Sequence, residues 1–459
     1  MKKNNIWILF EERPKVEVVE KILNIYLEKN KSKFVNKGLK IIPTIKNKKF
    51  NFLYKVANFK IDNIENIYLL LVSGKTSFVD FLLFKSKNKP NENEQLKNCL
   101  YGIEETKTDS TESRNTAAGQ RGTKFLILEY FSSVFNASVE KIMLYNNPET
   151  QSTSEAESVK FIKKCLKTNG VQFFGDFSDK YKIFQNIDEV IKEKNDMRQP
   201  PAGNVPIRIE QKQNYITISG ILSKPKDKGN IGHDPNQGQL ITISNTLRKL
   251  SWNKKIVITK HKVKQDYINR ISGNKFTYAM KILNLDLENI DTPEINLPTN
   301  YWYYETNGEK VGTILLHTIC NYLKFTSIYE NHAGSERGYF YSKNREEIVV
   351  NKKYNGKNIN LPDFVFIDDL KKKIFVCEGE MYKNYSNGIK QIESFDIYIK
   401  QYVNKYYPDY ETKKTLILSG GSSKKIKDNV LFQLNSDGKI LCSNNISIKI
   451  KNFINENQN

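Results

Sequence analysis

Three acidic residues lie at the ends of two apolar runs in the segment LPDFVFIDDLKKKIFVCEGE. The runs flank a charged turn, which predicts a β-hairpin. Asp363 begins the first predicted strand, while Glu378 and Glu380 end the second strand and, being two residues apart, share a face. The hairpin should bring Asp363 beside Glu378, and buried carboxylates that close are costly unless a cation neutralises them. We therefore expect Asp363 and Glu378 to bind Mg²⁺, which prefers carboxylate, water and phosphate oxygens.

The alternative for this segment is a solvated hairpin that merely has acidic ends. The residues after it favour a functional site, because they predict a helix over about residues 387–405 that packs beside the sheet. The apolar residues at helical spacing are Ile389, Ile392, Phe395, Ile399 and Val403. Lys383 and Gln391 are then candidates for contacts with DNA phosphates or bases, whereas Lys390 fits an ordinary exposed helix face.

A second group of charged residues lies in SFVDFLLF and YGIEETKTDSTESRN. Asp80 is on one predicted strand, and Glu105 and Lys107 are on a later strand with their side chains on one face. In this arrangement Asp80 and Glu105 would bind a metal ion, and Lys107 would orient a water or stabilise charge on a phosphate. The alternative is a strand edge followed by a charged loop, since Glu-x-Lys is a short pattern.

The segment ESRNTAAGQRGTKF, which follows, is rich in side chains of the types that read base edges or hold phosphates. The candidates for DNA contact are Arg114, Asn115, Gln120 and Arg121.

Both groups resemble the PD-(D/E)XK nuclease superfamily, and more narrowly its type II restriction endonucleases. The pattern of that family is Pro-Asp, a spacer, and then Asp/Glu-x-Lys on the next strand. Pro362-Asp363 and Glu378 match it, whereas Glu380 stands where Lys is usual. Some restriction enzymes have Glu there, and the resemblance then implies that Glu380 activates water or binds a second metal ion. Lys383 is a candidate for the missing amine.

The resemblance also covers Asp80, Glu105 and Lys107, which form the usual Asp, Glu-x-Lys triad without the preceding Pro. It implies an α/β fold with a PD-(D/E)XK nuclease-like mixed sheet flanked by helices, in two such regions. It further implies Mg²⁺-assisted cleavage of double-stranded DNA at a specific site and a cognate DNA methyltransferase as the functional counterpart. Upstream of the hairpin, Glu336 or Glu346 would add a ligand, and His332 would be structural.

Alternating strand and helix patterns predict a mixed α/β chain in three parts. Residues 1–185 would form a nuclease-like or DNA-recognition domain, residues 186–300 a middle region with a linker and a DNA-contact segment, and residues 301–459 a second nuclease-like domain. The middle region starts at a Pro/Gly-rich linker and contains GNIGHDPNQGQLITISNTLRKLSW, a loop followed by a helix start that could cradle phosphate. The glycine spacing of this segment matches neither the Walker nor the Rossmann pattern. The alternative is that the segment only packs within the fold. His233 and His261 lack partners at metal spacing, so no zinc is expected.

The composition favours a polyanionic partner, because 72 Lys+Arg against 51 Asp+Glu give a net charge of +21. An AT-rich genome, which inflates Lys, Asn and Ile, is the alternative explanation. The five cysteines are isolated and no apolar run reaches the length of a membrane span, so we expect a cytoplasmic protein.

Two other functions stay open at this point. One is a DNA-binding protein with a degenerate nuclease fold, which Glu380 in place of Lys favours. The other is a repair or mobile-element nuclease without a fixed target sequence. Whether the chain acts as a homodimer with one working centre, or as a monomer with two, also stays open.

Overall fold

The chain folds into two compact units in a computed structural model. The model describes residues 3–74, 77–106, 118–145, 156–175, 181–197, 207–220, 235–260, 265–270, 273–329, 337–351 and 353–456. Unit 1 comprises Met1–Val72 together with Tyr304–Asn459, and unit 2 comprises Ser73–Tyr303. These boundaries differ from the three predicted ranges 1–185, 186–300 and 301–459, because the first 72 residues form one compact unit with the C-terminal segment.

The strands are short to medium in length and occur throughout the chain. The first twelve are β1 (Asn4–Phe10), β2 (Phe34–Lys46), β3 (Lys49–Ile61), β4 (Ile64–Ser73), β5 (Phe81–Ser86), β6 (Cys99–Thr106), β7 (Glu140–Tyr145), β8 (Val171–Phe174), β9 (Arg208–Gln211), β10 (Tyr215–Gly220), β11 (Lys255–Lys260) and β12 (Leu285–Leu287). The remaining strands are β13 (Tyr303–Tyr304), β14 (Thr326–Tyr329), β15 (Arg337–Tyr341), β16 (Glu347–Asn351), β17 (Lys353–Tyr354), β18 (Lys357–Asn358), β19 (Phe364–Asp368), β20 (Lys373–Met381), β21 (Glu411–Ser419), β22 (Val430–Leu434) and β23 (Ile440–Cys442).

Helices separate many of these strands. The helices of the described residues are α1 (Val16–Asn30), α2 (Ala118–Val134), α3 (Ala156–Thr168), α4 (Ile187–Asp196), α5 (Pro235–Lys249), α6 (Gln265–Arg270), α7 (Lys275–Leu283), α8 (Glu309–Tyr322), α9 (Tyr385–Glu393), α10 (Asp396–Tyr398), α11 (Asn404–Tyr406) and α12 (Ile448–Asn455). A 3₁₀ turn, Tyr382–Asn384, precedes α9, and a π-helical turn, Ile399–Val403, joins α10 to α11.

The sheet that carries the predicted hairpin belongs to unit 1 and has the order β14-β19-β20-β21-β22-β23. Strands β19 and β20 are antiparallel, while β20, β21 and β22 run parallel. Every residue of β19 is buried, as expected for a central strand that is covered on both faces. Along the chain the elements therefore follow in the order α8, β14, β19, β20, α9, β21, with a small two-stranded sheet, β15-β16, inserted after β14.

The helical segment after the hairpin packs on this sheet, as its periodicity predicted. Ile392, Phe395 and Val403 are buried among the residues of β19, β20 and β21, and Ile389 and Ile399 pack against them while partly buried. Burying side chains of this size contributes roughly 1.5–3 kcal/mol each. The segment is not one regular helix from 387 to 405, because it starts at Tyr385 and passes through the π-helical turn.

Unit 2 contains two sheets with one shared pattern. In the sheet portion β5-β6-β7-β8, β5 and β6 are antiparallel and the next two strands are parallel. In β9-β10-β11-β12, an antiparallel pair is again followed by two parallel strands. The chain is therefore mixed α/β, as the sequence predicted. In the residues that the structure covers, no helix has both the length and the apolar character of a membrane span.

Candidate active site

The hairpin β19–β20 places Asp363 and Glu378 at one end of the sheet. Phe364 pairs with Cys377, so Asp363 and Glu378 occupy the next step of the antiparallel ladder. The Gly379 N–H donates a hydrogen bond of 3.0 Å to Asp363 Oδ2, which fixes the orientation of that carboxylate. The hairpin and the position of these two residues thus agree with the sequence analysis.

The electrostatics of the hairpin end are dominated by carboxylates. Burial, followed by the negative charges of Asp363 and two further glutamates, Glu309 and Glu380, raises the pKa of Glu378 to about 9. Burial also raises the pKa of Asp363 to about 6, although the hydrogen bond from Gly379 opposes the rise. All the charges that shift Glu378 are negative, so the group either retains protons or requires an external cation.

Two buried polar atoms at this site have no hydrogen-bond partner among the described residues. One is Glu380 Oε2, on a side chain that is 6% exposed, and the other is Thr313 Oγ1 on α8, whose residue is 1% exposed. Buried polar atoms are nearly always paired, and an exception needs an explanation such as a bound ion or water. Each of these two atoms could therefore be paired by a bound ion or water.

Gly379, between the two glutamates of β20, allows α8 to lie close to the hairpin. A Cβ atom added at Gly379 would approach Thr313 Oγ1 to 2.5 Å and Asp363 Oδ2 to 3.4 Å. Any larger residue would push α8 away from the strand. The close packing of α8 thus favours glycine at position 379, between the two glutamates of β20.

Glu309, the first residue of α8, is a fourth acidic residue that the sequence analysis did not single out. It lines a cleft of about 230 Å³ together with Thr313, Tyr329, Asp363 and Gly379. Loss of solvation and the charges of Asp363 and Glu380 raise the pKa of Glu309. The only signal in the sequence is an acidic residue directly after Gly308 and shortly before an apolar run, and that signal alone indicates helix capping rather than a site.

Unit 2 contains a second acidic pair on a hairpin of the same design. Phe81 pairs with Ile103, so Asp80 and Glu104 face each other on the next step of the ladder. The Glu105 N–H donates a hydrogen bond of 2.8 Å to Asp80 Oδ2, as the Gly379 N–H does to Asp363 in unit 1. Glu105 was the predicted carboxylate partner of Asp80. Neighbouring strand residues point to opposite faces, however, and the register places the Glu104 side chain beside Asp80.

This second pair is neutralised by the chain itself. Lys124 Nζ on α2 lies 2.6 Å from Glu104 Oε1 and 3.1 Å from Asp80 Oδ1, and Arg121 Nε lies 3.2 Å from the same Glu104 oxygen. Burial and the charge of Asp80 still outweigh these cations and raise the pKa of Glu104 to about 7. Burial, and then the charges of Lys124 and Arg121, lower the pKa of Lys275 to about 8.

The other predicted site residues are distributed as follows. Lys107, Arg114 and Asn115 lie outside the described residues, as do His332, Glu336, His233 and His261. Arg121 pairs with the buried Glu104 instead of facing outward as a DNA contact.

Gln120 lies where α2 meets α5, since a Cβ atom added at Gly238 of α5 would come within 2.5 Å of its backbone nitrogen. Lys383, Lys390 and Gln391 are exposed after the hairpin, and Glu346 is exposed before β16.

Within the described residues, no three His, Cys, Asp or Glu side chains already converge as a metal-ligand set. A cation at the hairpin end would therefore have to draw the carboxylates of unit 1 together. Glu380 Oε2, which has no hydrogen-bond partner among the described residues, is one oxygen that could take part.

No protein-family model matches this chain, and neither a curated protein nor a solved structure matches it significantly. The function is therefore argued from the site itself.

Proposed function

We propose that this protein is a Mg²⁺-dependent endonuclease that hydrolyses phosphodiesters of double-stranded DNA, with its catalytic centre at the hairpin end of unit 1. The observation that carries the proposal is a group of four carboxylates, Glu309, Asp363, Glu378 and Glu380, in which burial and then mutual repulsion raise the pKa of Glu378 to about 9. The order α8, β14, β19, β20, α9, β21 supports a PD-(D/E)XK nuclease-like core, and the net charge of +21 suits a polyanionic substrate.

Each residue of the group has a role that follows from its position. Asp363 and Glu378 would hold the metal ion from the two strands of the hairpin, and Glu309 would approach from the start of α8. When bound, Mg²⁺ polarises the phosphate and lowers the pKa of a coordinated water. Glu380, with Oε2 unpartnered and buried, is suited to accept the proton of the attacking water or to hold a second ion. The 3′ oxygen leaves in line with the attack.

The proposal is tested by incubating the purified protein with phage DNA and mapping the ends of the products. We expect no cleavage in EDTA and recovery with Mg²⁺ or Mn²⁺, whereas Ca²⁺ should support binding with little cutting. Discrete fragments indicate a site-specific enzyme of the restriction type, and a smear indicates a nuclease without a fixed target. Full activity in EDTA would falsify the metal assignment, and the absence of cleavage under every condition would favour a DNA-binding protein.

Metal binding is also expected to raise the thermal stability in a pH-dependent way. The folded-state pKa values of Glu378 and Asp363 exceed their ordinary values, so the folded protein retains protons that the unfolded chain releases. Without metal, stability should therefore fall as the pH rises from about 4 to 9. Mg²⁺ at about 100 times its Kd should add roughly 2.7 kcal/mol, or roughly 5–10 °C in Tm, with the larger gain at pH 8 than at pH 5.

Differential scanning fluorimetry with and without Mg²⁺ measures this gain. Glu378→Gln removes a proposed metal ligand, so this variant is expected to show no gain in thermal stability with Mg²⁺. Asp396→Asn is the matched control, because Asp396 forms an exposed surface ion pair with Lys414 on the same sheet and should leave the gain unchanged. An equal Mg²⁺ effect in Glu378→Gln and wild type would exclude the hairpin end as the metal site.

The pair in unit 2 supports a second candidate centre. Asp80 and Glu104 repeat the geometry of Asp363 and Glu378, and Lys124 supplies from α2 the amine that the sequence analysis assigned to Lys107. Asp80 and Glu104 would hold the metal ion and Lys124 would orient water.

Two unlike centres in one chain would allow a monomer to cut both strands of an asymmetric target. A homodimer in which unit 1 alone is active is the alternative, and a cognate methyltransferase remains part of the proposal only if cleavage is site-specific.

A further inference from the structure

Unit 1 contains a second, basic cleft next to the carboxylate group. It has a volume of about 630 Å³ and is bordered by α1, β2, α8 and β14. Five of its lining side chains are cationic and one is acidic: Arg13, Lys15, Lys40, Lys324 and Arg345 against Glu17. Among the residues that the structure describes, Arg13, Lys40, Lys324 and Arg345 form no ion pair with a carboxylate. Such a concave surface with surplus positive charge is suited to an anionic ligand.

Arg13 is held in this cleft by a buried histidine. The Arg13 guanidinium donates a hydrogen bond to His317 Nε2, and the Asn321 amide lies 2.9 Å from the same nitrogen. A guanidinium can only donate, so Nε2 must be the unprotonated, accepting nitrogen of a neutral ring. The other nitrogen, Nδ1, then carries the proton and donates it to Ser327 Oγ at 2.9 Å.

The environment keeps His317 in this neutral form. The residue is 1% exposed, and burial, together with the charge of Arg13, lowers its pKa well below the ordinary value. A neutral acceptor orients the guanidinium without cancelling its positive charge, whereas a carboxylate in the same place would cancel it. Within the described part of the chain, the remaining donors of Arg13 are thus directed by the protein and stay available to an anion.

The basic cleft adjoins the carboxylate cleft. The Arg13 guanidinium carbon lies 6.0 Å from the centre of the Tyr329 ring, and the rings of His317 and Tyr329 are 5.8 Å apart. Tyr329 in turn lines the cleft that contains Asp363 and Glu309. An extended polyanion bound beside the carboxylates would therefore meet Arg13 within a short distance along its backbone.

We propose that the basic cleft binds backbone phosphates of duplex DNA beside the phosphate that is cleaved, with Arg13 as the principal contact and His317 as the residue that positions it. This inference rests on the proposed nuclease function, because it takes DNA as the substrate. It assigns a binding role to residues that neither acidic group contains. The contact is sequence-independent, since phosphate contacts set position and register rather than read bases.

The experiment measures the affinity of a fluorescein-labelled duplex by anisotropy in Ca²⁺, over a range of salt concentrations. Arg13→Gln should weaken binding roughly tenfold at 0.1 M salt for every duplex sequence and reduce the slope of log K against log salt by about 1. Lys372→Gln is the matched control, because it removes one positive charge from the turn at the other end of the β19–β20 hairpin. It should leave both quantities nearly unchanged.

His317→Gln and the milder Ser327→Ala test the positioning role. Each should weaken binding and flatten the salt dependence in the same direction as Arg13→Gln, and neither should weaken it further when Arg13 is already Gln. A purely structural role of His317 would instead give additive losses with an unchanged salt slope.

The inference is overturned if Arg13→Gln binds with the wild-type affinity and salt slope, or if the wild-type protein prefers a single-stranded RNA of equal length. If the duplex binds as expected but is not cut in Mg²⁺, the proposed nuclease function fails while the phosphate site stands. If the duplex is cut and Arg13→Gln binds normally, the phosphate site alone fails.

Discussion

Asp363→Asn should reduce the rate of DNA cleavage by at least about 10³-fold, because it removes a proposed charged metal ligand from the hairpin end. Metal-assisted stabilisation of the transition state amounts to several kcal/mol, and about 4 kcal/mol corresponds to this factor. The same change should raise the Tm of the metal-free protein, since one of the negative charges that raise the pKa of Glu378 disappears. Loss of activity combined with a gain in stability separates a functional role from a defect in folding. Single-turnover cleavage and thermal melting measure the two effects.

The products formed by this variant from supercoiled plasmid distinguish one centre from two. If unit 2 contains an independent centre, Asp363→Asn should still nick the plasmid, and Asp80→Asn should accumulate nicks in the opposite strand. If unit 1 alone is active, Asp363→Asn gives neither nicked nor linear DNA, while Asp80→Asn retains cleavage. Wild-type rates in Asp363→Asn would overturn the assignment of unit 1 altogether.

Lys124→Met should destabilise unit 2 by about 3 kcal/mol. Lys124 lies 2.6 Å from Glu104, whose side chain is fully buried, and breaking a buried ion pair by removing one partner typically costs 3–5 kcal/mol. Arg121 still contacts Glu104 in the variant, which places the expected loss at the lower end. The loss should grow as the pH rises above about 7, because Glu104 ionises there in the wild type, whereas removing Lys124 raises its pKa further and delays ionisation in the variant. Urea unfolding at several pH values measures the free energy.

Adding Glu104→Gln to the Lys124→Met variant should recover most of the lost stability, since a neutral amide no longer requires a cation. Lys97→Met provides the comparison for an exposed pair. Lys97 contacts Glu94 at 2.7 Å, but both side chains are roughly half exposed, so the change should stay within about 1 kcal/mol. Equal stability of Lys124→Met and wild type would mean that the pair is solvated rather than buried.

The sequence predicted the local parts of the site and missed those that depend on tertiary packing. The hairpin and the positions of Asp363, Glu378 and Glu380 follow from two apolar runs and a two-residue repeat. Glu309, by contrast, is 54 residues before Asp363 and reaches the cleft only because Gly379 lets α8 approach β20. Spacing contains no information about that approach.

The pair Asp80 and Glu104 shows how an unknown strand register limits the prediction of a site from the sequence. Glu104 and Glu105 are neighbours, and alternation assigns one to each face without saying which. Because Phe81 pairs with Ile103, the side chain that lies beside Asp80 is that of Glu104. This strand register depends on the turn geometry rather than on residue type. Sequence periodicity likewise gives no indication that Lys124 contacts Asp80. It also does not predict the contact between Arg13 and His317, which are 304 residues apart in the sequence.

The discontinuous make-up of unit 1 has a consequence during protein synthesis. Arg13 is made early, but Asp363, Glu378 and Glu380 leave the ribosome only after the whole of Ser73–Tyr303 has been translated. At about 5–20 residues per second that interval lasts about 10–50 s, during which unit 2 can fold before the C-terminal part of unit 1 has been made. On the proposed function, a nascent or truncated chain would therefore carry Arg13 without His317, which positions it, and without the carboxylates proposed for hydrolysis. The order of translation alone would delay cleavage until the chain is nearly complete.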